Sequence, residues 1–123
     1  MKFREFVTSS GKKVIAGKDA ETNEELVKQF IGKENKIFHT AAPGSPFCII
    51  EQIKHGKKDI QETAIFCASK SQNWRNNKGD VEVNIFSGED VYKTKGMKTG
   101  TFGVKRFKTI IATKKEIERF LKL

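Results

Sequence analysis

The sequence predicts an α+β fold, with a mostly antiparallel sheet and about three helices in one domain. Three patterns carry that prediction. Val81, Val83 and Ile85 alternate with Asp80, Glu82 and Asn84, the period-two signature of a half-buried strand. Asn35 to Gln52 reads as strand, tight loop, strand, with Pro43 fixing φ and Gly44 free to take a positive φ in the turn. The S/T-x-x-E spacings Thr22/Glu25 and Thr113/Glu116 each precede an apolar stripe at helical spacing, which marks a capped helix start.

Taken in order, residues 3–9 alternate as a first strand, with Phe3, Glu5 and Val7 on one face and Arg4, Phe6 and Thr8 on the other. Ser9 to Lys12 is a turn, and Lys13 to Ala16 closes a hairpin. A helix capped by Thr22 follows, with Leu26, Val27, Phe30 and Ile31 as its stripe and Gly32 at its end. Lys36 to Thr40 is the next strand. Pro46 to Ile50, the densest apolar run, suits a strand buried on both faces. A second helix runs from about Ile60 to Gln72. Ser69 to Gly79 is polar and basic around one aromatic, Trp74. After the strand at residues 81–85 and a turn at Ser87 to Asp90, short strands begin at Val91, Thr101 and Phe107. The last helix is capped by Thr113, with Ile117, Phe120, Leu121 and Leu123 as its apolar side.

Composition bounds the function. A chain of 123 residues, 37% apolar with ten Phe, can bury a core without metal or disulfides. Cys48 and Cys67 sit inside apolar patterns and read as buried free thiols. The start, MKFREFVTSS, has no continuous apolar run of the kind a secretory signal needs. The stretch from Ile37 to Ile50 is too short and too broken by proline to span a bilayer, so a cytoplasmic protein without a membrane partner is expected. The net charge of +9 points to an acidic partner, nucleic acid first.

Two stretches concentrate that charge without a single acid. Val91 to Lys115 contains Lys93, Lys95, Lys98, Lys105 and Arg106 interleaved with Tyr92, Phe102 and Phe107, while Lys70 to Lys78 contains Arg75 and Trp74. Cations beside aromatic rings suit RNA, because the charges neutralise phosphates and the rings stack on bases. Trp74, among Asn and Arg, is the stacking candidate, and Phe102 and Phe107 are assigned to the core. Catalytic patterns are weak. Gly96-Met97-Lys98-Thr99 lacks the contiguous Gly-Lys-Ser/Thr of a phosphate-binding loop. His39, Cys48, His55 and Cys67 lack paired metal-ligand spacing, so neither metal nor cofactor is expected. His39 with Ser45 has no evident third partner.

The ordered set Gly17-Lys18, Asn23-Glu24, Phe38-His39, Pro43-Gly44-Ser45, Ala64 to Ser71, Val91 to Lys93 and Gly96 to Gly100 resembles the NFACT-R domain. That domain is the RNA-binding module of the NFACT proteins, which act in ribosome-associated quality control. The resemblance runs from about residue 3 to residue 112, with departures at Asn35, Ile37, Pro46 and Thr99. It implies a stand-alone NFACT-R protein, lacking the N-terminal domain and coiled-coil arms of full NFACT proteins and not expected by itself to recruit tRNA and drive C-terminal tailing as those factors do. It also implies that Lys18, Asn23, His39, Gly44 and Ser45 line one side of the binding surface. The expectation is therefore a non-enzymatic protein binding tRNA or ribosomal RNA, with the ribosome as a further partner and Lys70, Arg75, Lys93, Lys95, Lys98, Lys105 and Arg106 as phosphate contacts. The rivals are a small nucleotide- or RNA-directed enzyme centred on His39 and Ser45, and a module docking on ribosomal proteins.

Overall fold

The computed structural model describes residues 2–123. A hairpin of β1 (Arg4–Val7) and β2 (Lys13–Ala16) leads into α1 (Ala20–Lys28). Next come β3 (Lys36–Thr40), β4 (Cys48–Ile50), α2 (Lys57–Ser69) and α3 (Gln72–Asn77). The chain continues through β5 (Val81–Ser87), a 3-10 turn at Gly88–Asp90, β6 (Val91–Tyr92), β7 (Gly103–Val104), β8 (Lys108–Ala112) and α4 (Lys114–Leu121). Six strands form one sheet in the order β1-β2-β4-β3-β5-β8, and β6 and β7 form a separate ribbon. Every pairing is antiparallel. The α+β reading is correct, and α3 adds a short helix to the three long ones expected.

The sheet is covered on both faces, which explains its central strands. On one face α2, α3 and α4 bury Phe38, Cys48, Ile50, Ala64, Cys67, Val81, Val83 and Ile117. On the other, α1 and the β6–β7 ribbon bury Ile37, Ile49 and Phe86 against Leu26, Val27 and Val91. Successive residues of β3 and β4 thus enter opposite cores, and none of Cys48, Ile49 and Ile50 is exposed. Cys48 and Cys67 are buried free thiols, and burial pushes the Cys48 thiol well up. On β5, Val81 and Val83 are buried beneath α2, whereas Glu82 and Asn84 on the opposite face are not. The second layer is therefore incomplete over the middle of β5.

Several boundaries differ from the sequence reading: α1 ends at Lys28 rather than Gly32, α2 starts at Lys57 rather than Ile60, β7 starts at Gly103 rather than Thr101, and three others have a local reason. Helix α1 starts earlier, because Asp19 rather than Thr22 is the cap. The Asp19 carboxylate accepts from the Thr22 amide at 2.9 Å, and Thr22 Oγ1 accepts from the Asp19 amide at 3.0 Å. Strand β4 starts only at Cys48, because the Phe47 N–H donates to Asn23 Oδ1 at 3.1 Å instead of to a strand partner. Helix α2 ends at Ser69, where Ser69 and Ser71 Oγ cap the Phe66 and Ala68 carbonyls, both at 2.7 Å.

Ser71 then opens α3, accepting from the Trp74 amide at 3.1 Å. That turn drives Trp74 into the core, where it is 2% exposed. A base cannot reach a ring so enclosed, so Trp74 is not a stacking platform. Phe107 is the converse correction. Assigned to the core from sequence, it stands 56% exposed just before β8.

Candidate nucleic-acid interface

The β3–β4 turn is held by its own polar groups. Ser45 Oγ accepts from the Thr40 amide at 3.0 Å and donates to the Pro46 carbonyl at 3.1 Å. Gly44 takes φ +91° and receives the Gln72 amide on its carbonyl at 2.7 Å. A Cβ at Gly44 would lie 2.8 Å from the Gln72 side chain, so both backbone sign and contact require glycine. The turn is thereby docked on the start of α3.

Beside this turn lies a polar cleft of about 350 Å³. Lys18 and Asp19 stand at the start of α1, Lys70 and Arg75 flank the α2–α3 break, Arg4 reaches in from β1, and Gly44 and Ser45 form the floor. Arg4 Nη1 donates to the Gly17 carbonyl at 2.8 Å, and Arg75 Nη1 to the Lys70 carbonyl at 3.1 Å. Among the described residues, no carboxylate forms an ion pair with Arg4, Lys70 or Arg75. The acid that lines the cleft, Asp19, is engaged in capping; the Thr22 amide and hydroxyl hold its carboxyl below the usual range. Asn23 is buried and holds β4 to α1, and its side chain occupies the space a Cβ on Gly17 would need.

A second cleft of about 500 Å³ adjoins the first and shares His39, Gly44 and Gly100 with it. It lies over the uncovered middle of the sheet, where His39 on β3 is in register with Asn84 on β5. Phe47, Phe86, Phe102 and Phe107 line it. Phe47 contacts His39 with ring centroids at 4.4 Å and meets Phe102 edge-on at 5.6 Å. The His39 Nδ1 lies 2.7 Å from the Thr40 carbonyl, which can only accept, so Nδ1 carries the proton. Burial lowers the His39 pKa, so the ring is neutral and Nε2 is an acceptor.

The second basic segment is used differently. Lys93 Nζ donates to Glu24 Oε1 at 2.9 Å, to the Lys98 carbonyl at 2.6 Å and to the Thr101 carbonyl at 2.7 Å, and lies 4.7 Å from the Phe102 ring centre. Its side chain is 18% exposed. The Lys93 hydrogen bond is the main cause that takes the Glu24 carboxyl down to about 2, and the Gly100 amide at 2.7 Å adds to it. Lys93 is thus an internal clamp between α1 and the 93–101 loop, with all three ammonium protons engaged. Arg106 pairs with Asp90 at 3.2 Å but keeps 85% of its side chain exposed. Lys95, Lys98 and Lys105 are exposed and line neither cleft.

The structure therefore brings together Lys18, Asn23, His39, Gly44, Ser45, Lys70 and Arg75, and separates them from Lys95, Lys98, Lys105 and Arg106. Sequence reasoning missed Arg4, Gln72 and Asn84. Arg4 read only as a strand position, and the Asn84 register with His39 exists only once β3 and β5 pair. Among the described residues, no group of His, Cys, Asp and Glu is arranged to hold a metal ion, and no helix is long and apolar enough to cross a membrane.

Comparison with known proteins places these features in a family. The model of the NFACT protein RNA binding domain matches residues 2–106. An archaeal Rqc2 homolog, aRqcH of Methanocaldococcus jannaschii, is 35% identical over 85 residues, covering 66% of this chain and 12% of that protein. The C-terminal structure of the fibronectin/fibrinogen-binding protein from Streptococcus suis superposes with a TM-score of 0.81 at 19% identity, over 97% of this chain and 49% of that one. That likeness concerns the fold. The chain spans less than two thirds of either relative.

Proposed function

The chain belongs to the NFACT-R family of RNA-binding domains, and on that premise we propose that residues 1–123 act as one module binding structured RNA, tRNA or ribosomal RNA, in cytoplasmic translation or ribosome-associated quality control. The observation that carries this reading is the convergence of Arg4, Lys18, Lys70 and Arg75 on one cleft. These cations come from distant parts of the chain and surround a rigid, glycine-containing turn. Exposed Lys95, Lys98, Lys105 and Arg106 extend the positive surface for less specific phosphate contacts. The enzymatic alternative is set aside. The His39 Nδ1 proton goes to the Thr40 carbonyl, Ser45 Oγ closes its own turn, and the matched family is an RNA-binding domain.

The test is fluorescence anisotropy with tRNA, single-stranded RNA and duplex DNA of equal length across a salt series. Tightest binding to tRNA is expected. If about five phosphates are neutralised, log affinity falls with log salt at a slope of roughly −3.5 to −4.5. Lys70→Glu and Arg75→Glu should weaken binding at least tenfold. Weak, salt-insensitive signals with all three would overturn the reading in favour of a protein-docking module.

A further inference from the structure

We propose that the two adjoining clefts together hold one unpaired nucleotide of the bound RNA, its base in the aromatic cleft and its phosphate in the basic one. This deepens the RNA-binding reading and rests on it. The two hollows meet at His39, Gly44 and Gly100, so a single ligand can occupy both. Their volumes, about 500 and 350 Å³, lie in the range of small-molecule sites, roughly 300–1,000 Å³. Their chemistry differs in the way the halves of a nucleotide differ. One side offers rings, and the other offers Arg4, Lys70 and Arg75, which among the described residues have no paired carboxylate.

Phe107 is the ring most open to a base. It is 56% exposed, and among the described residues it makes no ring contact. The sheet floor supplies the polar groups for a base edge. Asn84 Oδ1 accepts from Thr109 Oγ1 at 2.8 Å, which leaves the amide N–H groups to donate, and neutral His39 leaves Nε2 to accept. An apolar slot with a donor and an acceptor beside a cationic recess is how an extruded base is read by stacking and edge hydrogen bonds. A base already outside a duplex costs least to place there, which selects bulges and loops.

Three RNA hairpins of identical stem test this: one fully paired, one with a single-nucleotide bulge, and one whose bulge is an abasic ribose phosphate. Affinity is measured by anisotropy at fixed salt. The base-bearing bulge should bind about 5- to 150-fold more tightly than the abasic one, the range expected for one stacked base. Phe107→Ala, verified as folded by circular dichroism, should bring the base-bearing bulge down toward the abasic value. Arg75→Ala should lower affinity for both bulged RNAs. Equal binding of all three hairpins with a steep salt slope would overturn the nucleotide site while sparing the RNA-binding reading. A base preference unchanged in Phe107→Ala would also overturn it. No binding to any hairpin would remove both readings.

Discussion

Residues 70–78 and 91–115 look alike as text: both are basic, acid-free and interrupted by aromatics. Folded, they divide the work in opposite ways. The first buries its ring, Trp74, and turns Lys70 and Arg75 into a shared cleft. The second exposes a ring, Phe107, and commits its most enclosed cation, Lys93, to Glu24 across 69 positions of sequence. Charge density therefore says little about what a cation does. Its use is set by the carboxylate or carbonyl that tertiary structure brings to it.

The two rings break or sharpen that contrast with the largest effect. Trp74→Ala should cost about 3–5 kcal/mol of stability, as expected for emptying a packed aromatic position. Phe107→Ala should stay within about 0.5 kcal/mol. Urea denaturation of the two variants decides it, and equal losses would show that Phe107 is also structural. The two lysines come next. Lys93→Met should cost about 1–3 kcal/mol because it leaves the Lys98 and Thr101 carbonyls without their donor and takes from Glu24 its main partner, the Gly100 amide and Lys28 at 3.1 Å remaining. Lys98→Met should leave the denaturation midpoint in place and weaken RNA binding.

A pH series extends the same comparison. The Glu24 carboxyl is held at about 2 in the fold against an ordinary value of 4.5, chiefly by Lys93. Asp59 is held at about 2, chiefly by the Gly56 amide and then by the Ser10 and Thr8 hydroxyls. Carboxyls lowered by folding contribute stability above their unfolded values and lose it as pH falls through the folded ones. Unfolding midpoints should therefore decline from about pH 4.5 toward about pH 2, and less steeply in Lys93→Met. The smallest effect is on salt dependence. Arg75→Gln should flatten the salt slope by about 0.7–0.9, the contribution of one phosphate contact. Arg106→Gln, its guanidinium already beside Asp90, should flatten it less.

How much of this was legible follows from the range of each signal. Strand β5 and the Thr113/Glu116 cap rest on patterns a few residues long, and the fold keeps both. The α1 cap was misread because two boxes overlap; Asp19/Thr22 and Thr22/Glu25 have the same spacing, and Asn23 must reach Phe47 for the chain to pack. Trp74 was misread because a six-residue helix is too short to show a period, so its polar neighbours masked one inward position. The basic cleft was legible only in pieces. Lys18, His39, Ser45, Lys70 and Arg75 were singled out separately, while Arg4 gave no sign that it approaches Gly17.

The ladder order sets when such a cleft can exist at all. Val14 pairs with Ile50, Lys36 with Ser87 and Val81 with Ala112, so the sheet closes through long chain loops rather than through neighbouring hairpins alone. Closures of that kind slow folding, because the entropy of each loop is lost before its contacts form. The cleft draws on both the first strand and the segment near Gly100, which makes it a late product of that sequence of events. A fully synthesised but unfolded chain would carry the whole charge of +9, and so attract RNA indiscriminately, before it could discriminate among RNAs. Selectivity in this molecule would be a readout of completed folding.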